Sequence, residues 1–157
     1  MTHDTDAAMI FDFFKEVGII EQLSRARLEA RLPDGLIAPH FAVLNHLTMR
    51  GDGAVPIDMA RAFQVPKTSM THTIKGLVQH GLVDMRANPD DGRSKRVWLT
   101  DKGVAMRQEV ITALGADFAV LAQGYDMAEL ARIKPTLTAL REFLDDARDL
   151  VGEASAD

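Results

Sequence analysis

Residues 65–103, VPKTSMTHTIKGLVQHGLVDMRANPDDGRSKRVWLTDKG, decide the fold of this chain. A segment of helical length ends at Gly81, the residue type favoured just past a helix C-terminus. Two short runs with strand character follow, at about 82–86 and 96–99, on either side of a turn rich in Asp, Gly and Pro. That turn carries three cations, Arg93, Lys95 and Arg96. The pattern predicts a helix followed by a β-hairpin with a positively charged tip.

The rest of the chain is predicted to be helical. Helices are expected over about 8–31, from Pro39 to Gly51, from Pro56, from Pro66 to His80, and over about 101–123 and 126–149. The fold class is therefore mainly α with a small β-hairpin wing. We expect a winged helix-turn-helix at 36–100 between long helices at 8–35 and 101–149, with 1–7 and 150–157 as flexible tails.

The long flanking helices have more apolar surface than so small a centre can cover. In the last helix the apolar residues recur at a spacing that suits a partner helix: Leu130, Ile133, Leu137, Leu140 and Leu144. Packing within one chain is one reading of this seam. Because both ends of the chain offer such surface, we favour a homodimer joined by these helices.

Composition and charge narrow the class of protein. The 157 residues include no Cys, and the formal net charge is −5. The charge is uneven, since residues 67–96 hold six Lys and Arg against three Asp. Phosphate contacts depend on such local clusters rather than on the total. With no apolar run long enough to span a membrane and a polar start, the chain is expected to be cytoplasmic.

The helix from Pro66 to His80 separates into two faces. Its apolar face is predicted to hold Met70, Ile74, Leu77 and Val78. A separate arc without any carboxylate holds Lys67, Thr68, Thr71, His72 and Lys75. Such side chains can contact phosphates and base edges, so we expect this helix to enter the DNA major groove. A merely soluble Thr-rich helix is the alternative.

The hairpin beside that helix is expected to reach the flanking minor groove, whose negative potential attracts Arg. Arg93 at the turn is the predicted inserting residue, with Lys95 on neighbouring phosphates. Asp91 is expected to hydrogen-bond the Arg93 guanidinium and fix its direction. Solubilising turn charges are the alternative for the hairpin taken alone.

The same segment resembles the recognition helix and wing of the MarR family of transcriptional regulators. The wing pattern of that family is matched by 88–95, NPDDGRSK, and by the Leu-Thr-x-x-Gly sequence at 99–103. The segment GLIAPHFAVLNHL at 35–47 resembles the family's second helix. The resemblance covers about residues 8–149.

The resemblance implies a homodimer that reads a palindromic operator in double-stranded DNA, usually as a repressor. It carries DNA contacts over to Lys67, Thr68, Ser69, Thr71, His72 and Arg93, with Asp91 as support of the wing. It also implies a cleft in which many relatives bind a small aromatic or phenolic effector, and His40 lies where that cleft is lined. The chain departs from the usual pattern at Pro66, His72 and Gly92, which should weaken or redirect recognition.

Other classes of function are less well supported by the residues. His40 and His46 are six apart and point to different sides of a helix, so no metal site is predicted. No phosphate-binding Gly-rich loop, nucleophile elbow or catalytic carboxylate pair is present, so neither an enzyme nor a cofactor is expected. A winged-helix regulator without an effector, or an architectural DNA-binding protein, remains the alternative.

Overall fold

The computed structural model describes residues 2–153, and the side chains of residues 5–147. Within this range the chain forms α1 (Thr2–Glu29), α2 (Ala38–Arg50), α3 (Pro56–Phe63), α4 (Lys67–Gln79), β1 (Val83–Asn88), β2 (Asp91–Leu99), α5 (Asp101–Gly124) and α6 (Met127–Glu153). The two strands pair in antiparallel fashion. The predicted fold class, mainly α with a β-hairpin wing, is confirmed.

Several element bounds differ from the prediction. Helix α1 begins at Thr2 rather than at residue 8, and α6 runs to Glu153, so parts of both predicted tails are helical. The strands extend beyond the predicted runs because pairing continues to Ala87 opposite Lys95, and backbone pairing needs no apolar side chain. Residues 1 and 154–157 of the predicted tails lie outside the described residues.

Two compact units divide the chain, Met1–Gly115 and Ala116–Asp157. The first contains the winged lobe, whose core gathers side chains from every element between α2 and the first half of α5. Its buried apolar members are Leu36, Phe41, Val43, Leu44, Leu47, Met59, Ala60, Met70, Ile74, Leu77, Leu82, Val83, Val97, Met106 and Val110. This core fixes α4 and the hairpin to one small body.

The corner between β2 and α5 explains the Leu-Thr-x-x-Gly sequence. Thr100 caps α5, since its Oγ1 accepts the Gly103 N–H at 3.0 Å, and it donates to the Gly81 carbonyl at 2.7 Å. The Thr100 N–H also donates to the Leu82 carbonyl oxygen at 3.1 Å. A Cβ at Gly103 would lie 2.1 Å from that same oxygen. Only glycine fits there, and the base of the wing is thereby joined closely to α5.

The loop between α2 and α3 forms the other support of the wing. The Asp52 carboxylate accepts the backbone N–H of Leu99 at 2.8 Å. Gly53 and Ala54 exchange backbone hydrogen bonds with Val97, each at 2.9 Å. The second strand of the hairpin is thus paired on both sides at its base, while its outer half is paired on one side only.

The long helices outside the lobe expose large apolar side chains. On α1 these are Met9, Ile10, Phe11, Phe13, Phe14, Val17, Ile19, Ile20 and Leu23. In the second unit, α6 begins with a cap in which Asp126 accepts the Ala128 N–H at 2.8 Å. It exposes Leu130, Ile133, Leu137, Phe143 and Leu144. No helix among the described residues is long and apolar enough to cross a membrane.

Candidate nucleic-acid interface

Helix α4 has a buried face that is narrower than predicted. Pro66 precedes its first turn, and no side chain caps that end. Met70, Ile74 and Leu77 are buried against α2, α3 and β1. Val78 was predicted to join them, but 42% of its surface is exposed. That prediction is wrong, because the packed stripe follows the spacing i, i+4 and i+7, and Val78 lies to one side of it.

The outer face of α4 holds the residues predicted to read DNA. All six are exposed: Lys67, Thr68, Ser69, Thr71, His72 and Lys75. The helix contains no Asp or Glu. The Thr71 hydroxyl donates to the Lys67 carbonyl at 2.9 Å, so Thr71 offers its methyl group and the lone pairs of its oxygen outward. This surface is suited to thymine methyls, to base amino groups and to phosphates.

The wing carries its cations on exposed side chains, as predicted for Arg93 and Lys95. The predicted role of Asp91 needs correction. Its carboxylate accepts the backbone N–H of Arg93 at 3.0 Å, whereas it was expected to bind the guanidinium. The reason is local, since an Asp side chain readily binds the N–H two residues ahead and forms an Asx turn. Asp91 therefore shapes the turn that carries Arg93.

A cavity of about 350 Å³ lies beside α4, within the first unit. Its lining comes from α1, from α2 and from the region of α3 and α4: Glu21, Arg25, Ala38, Pro39, Ala42, Phe63, Val65, Ser69, Met70 and Thr73. Helix α4 thus supplies part of the wall. The volume is in the range of small-molecule sites. Arg25 and Glu21 were not predicted from the sequence, although their spacing of four residues on a helix is a recognisable ion-pair signal.

The pair formed by Glu21 and Arg25 is the charged part of the cavity lining. The guanidinium holds both carboxylate oxygens, from Nε at 2.9 Å and from Nη2 at 2.6 Å. The hydrogen bond from Arg25 lowers the pKa of Glu21. Both side chains are about half exposed, so an entering anion can reach the guanidinium.

His40, the predicted effector contact, is buried and is not among the residues that line this cavity. Its Nδ1 accepts the Ile37 N–H at 3.0 Å and so caps the start of α2. Its Nε2 lies 2.6 Å from the position that a Cβ at Gly76 would take. Burial lowers the pKa of His40, and the charges of His80 and His72 act in the same direction. The contact with an effector stays a prediction. In the described part of the chain no three His, Asp or Glu side chains come together as a metal site.

Comparison with known proteins agrees with this geometry. Residues 34–94 match the model of the MarR family. A solved MarR family transcription regulator is 25% identical with a TM-score of 0.75, and the match covers 95% of this chain and 97% of that one. A MarR variant of E. coli in complex with operator DNA is 23% identical with a TM-score of 0.72, over 84% and 95% of the two chains. PcaV of Streptomyces coelicolor, in complex with its natural ligand, is 18% identical with a TM-score of 0.66, over 80% and 89%.

The fold and the exposed face of α4 define a winged helix-turn-helix of the kind found in these transcription regulators. The match of residues 34–94 to the family model and the solved structures agree with the resemblance seen in the sequence, and this chain is similar to the MarR family of transcription regulators. The solved proteins that this chain resembles are described as transcription regulators and not as enzymes, in agreement with the prediction.

Proposed function

We propose that this chain is a dimeric, sequence-specific DNA-binding regulator that acts in the cytoplasm, as a repressor, on a palindromic operator. A small aromatic effector releases it from that operator. The observation that carries the proposal is the outer face of α4, on which six exposed polar or cationic residues stand without a carboxylate. A polyanion is the partner that such a face fits.

The two DNA-contacting elements divide the work of recognition. Lys67, Lys75 and Lys95 suit phosphates, while Thr71 and His72 stand in the middle of the α4 face and suit base edges. The first backbone N–H groups of α4 carry no side-chain cap, and such a helix N-terminus favours a phosphate. Arg93 at the wing suits the minor groove. Sequence preference then comes mainly from α4, and affinity from both elements.

Selection of duplexes from a random pool tests this proposal. We expect a palindrome with half-sites about one helical turn, roughly 10 bp, apart. Arg93→Ala should weaken binding to every such duplex and reduce the salt slope by about one, as for the loss of one backbone-type contact. Thr71→Ala or His72→Ala should change the base selected at a defined position. Identical selected sequences for variant and parent would remove α4 from base reading.

The dimer is supported by the long helices at the two ends of the chain. Both α1 and α6 expose large apolar side chains in numbers that a soluble monomer rarely tolerates. A second copy of the chain can cover both faces with the symmetry that a palindromic operator requires. A solved protein of this fold is in complex with operator DNA, which supports DNA binding by this chain.

The effector is supported by the cavity beside α4. The side chains of Phe63, Val65 and Met70 suit an aromatic ring, and Arg25 suits a carboxylate that replaces Glu21. The PcaV structure, in which a protein of this fold is in complex with its natural ligand, supports this reading. Because α4 lines the cavity, a ligand that fits only one position of α4 shifts the population away from the DNA-bound form.

A panel of benzoates and phenols tests the effector. Binding should raise the melting temperature of the free protein and release a selected duplex. Arg25→Gln should remove the response to the acids and leave operator binding by the unliganded protein intact, since Arg25 lies outside the DNA-contacting face. If no compound changes either signal, the alternative holds, namely a winged-helix regulator or architectural protein without an effector.

A further inference from the structure

The turn of the wing is held by side chains gathered around Asn88, which is buried although the turn is exposed. The Asn88 Oδ1 accepts the Asp90 N–H at 3.1 Å and the Arg96 Nε at 2.9 Å. Its Nδ2 donates to the Ser94 Oγ at 2.8 Å. Three of its hydrogen-bonding positions are therefore used within the hairpin, where the strand register shifts between Ala87 and Asn88.

Arg96 closes this network from the second strand. Besides Asn88 it binds the Asp90 carboxylate through Nη2 at 2.6 Å. Its side chain is 31% exposed, in contrast to Arg93 and Lys95, which lie on exposed positions of the same strand. A side chain that is about two-thirds covered, and whose guanidinium already holds a carboxylate, is poorly placed to bind a phosphate.

The network leads directly to Arg93. Ser94, which receives the Asn88 amide, donates its hydroxyl to the Asp91 carbonyl at 3.3 Å. The Asp91 carboxylate in turn accepts the Arg93 N–H at 3.0 Å. Asp91 and Ser94, which lie on either side of Arg93, are thus connected to the Arg96 guanidinium through at most three hydrogen bonds.

We propose that Arg96 is a positioning residue for DNA recognition: held by Asn88 and Asp90, it fixes the turn that presents Arg93 and does not itself bind the phosphate backbone. This inference rests on the proposed function, in which Arg93 contacts DNA. Holding the loop in its bound shape lowers the entropy lost on binding.

The first test uses the conservative variant Arg96→Lys in the full-length protein with a selected duplex. Lys keeps the positive charge but lacks the planar fork that reaches Asn88 and Asp90 together. We expect binding to weaken about tenfold, which corresponds to roughly 1.4 kcal/mol. If Arg96 were instead a phosphate contact, Lys would preserve most of the affinity, and that result would overturn the inference. An unchanged melting temperature will show that the lobe stays folded.

The second test compares two exposed carboxylates of the hairpin. Asp90→Asn and Asp84→Asn each remove one negative charge near DNA, and simple electrostatics makes both bind more tightly. Asp84 pairs with Arg86 at 3.8 Å, outside the Asn88 network, and serves as the control. We expect Asp84→Asn to bind as well as the parent or better, and Asp90→Asn to bind about threefold more weakly, since it loses a charge-assisted hydrogen bond. A gain in affinity for both variants contradicts the inference.

The decisive test is a double-mutant cycle between positions 93 and 96. If Arg96 acts through Arg93, then Arg96→Lys should cost less than about twofold once Arg93→Ala is in place, because the group being positioned is gone. Additive losses overturn the inference while leaving the proposed function standing. If the parent protein selects no duplex at all, the proposed function and this inference fall together.

Discussion

The winged lobe buries its large apolar side chains, whereas the long helices α1 and α6 expose theirs. In the lobe Leu44 is fully buried, and the core draws on α2, α3, α4, the hairpin and α5. On α1 the Phe11 side chain is 72% exposed. The lobe therefore buries its own apolar side chains within one chain, whereas α1 and α6 leave theirs exposed, which is the basis for the proposed dimer. The hairpin is held in one position because its base is part of the winged lobe and its buried core.

The contrast between the lobe and the long helices predicts that the exposed apolar seam of α6 is covered by a second chain, and this is the largest effect to test. Leu137, which is 43% exposed, lies in the middle of that seam. Leu137→Glu should cost on the order of 5 kcal/mol of association free energy, because the exposed part of the Leu is no longer buried, a carboxylate would lose its water in the interface, and symmetry doubles both effects. Sedimentation equilibrium should change from about twice 17.3 kDa to a single chain. Ala139→Glu, about 200° round the helix, is the control and should stay dimeric.

Substitutions at two glycines of α5 test how closely the winged lobe is packed. Gly103→Ala places a Cβ 2.1 Å from the Leu82 carbonyl oxygen, so the corner must move. We expect a loss of about 3 kcal/mol in the free energy of unfolding, as for a severe backbone clash. Gly115→Ala has no heavy atom within 4 Å and should instead stabilise by about 0.5–1 kcal/mol. Urea unfolding measures both, and equal effects would show that the corner is not tightly packed.

The base of the wing offers a smaller test of the same lobe. Asp52→Ala removes the acceptor of the Leu99 N–H and should cost about 1–2 kcal/mol in the free energy of unfolding. Asp84→Ala removes only an exposed ion pair of 3.8 Å and should cost a few tenths of that, roughly 0.2–0.5 kcal/mol. Thermal unfolding at one pH separates the two. A loss as small for Asp52 as for Asp84 would mean that the loop contributes nothing to the wing.

The smallest expected effect concerns pH. Burial lowers the pKa of His40 in the folded chain, so the unfolded chain binds the proton more tightly. Stability is therefore complete above the unfolded pKa of about 6.5 and falls as the pH drops below it, by at most about 1.4 kcal/mol per pH unit from this residue. His40→Asn should flatten that part of the profile, measured by urea unfolding between pH 7.5 and 5.5. The same slope in the variant would assign the effect to other histidines.

Much of the fold could be predicted from the sequence because turn residues mark the element ends. Gly51, Gly81 and Thr100 each stand where a helix ends or begins, and the structure keeps them there. The family pattern of the wing located the hairpin. Residues 1–8 contain no Gly or Pro to mark a helix start, which is why the start of α1 at Thr2 could not be read from the sequence.

The details of the site depended on tertiary packing and could not be predicted. Asp90 and Asp91 are equivalent in the sequence, yet one binds the Arg96 side chain and the other a backbone N–H. Helical spacing placed Val78 on the buried face, but the neighbouring elements cover only the stripe of Met70, Ile74 and Leu77. His40 was linked to an effector by resemblance, and the structure reveals its hydrogen bond to the start of α2.

The corner at Thr100 and Gly103 has a mechanical consequence. Two hydrogen bonds of Thr100 and the close approach of Gly103 fasten the first turn of α5 to the start of β1, with no compressible side chain between them. We therefore expect the first turn of α5 and the base of the hairpin to move together as one rigid body. A small tilt of the first turns of α5 should therefore swing the tip of the hairpin through a larger arc, as a short lever moves a long one.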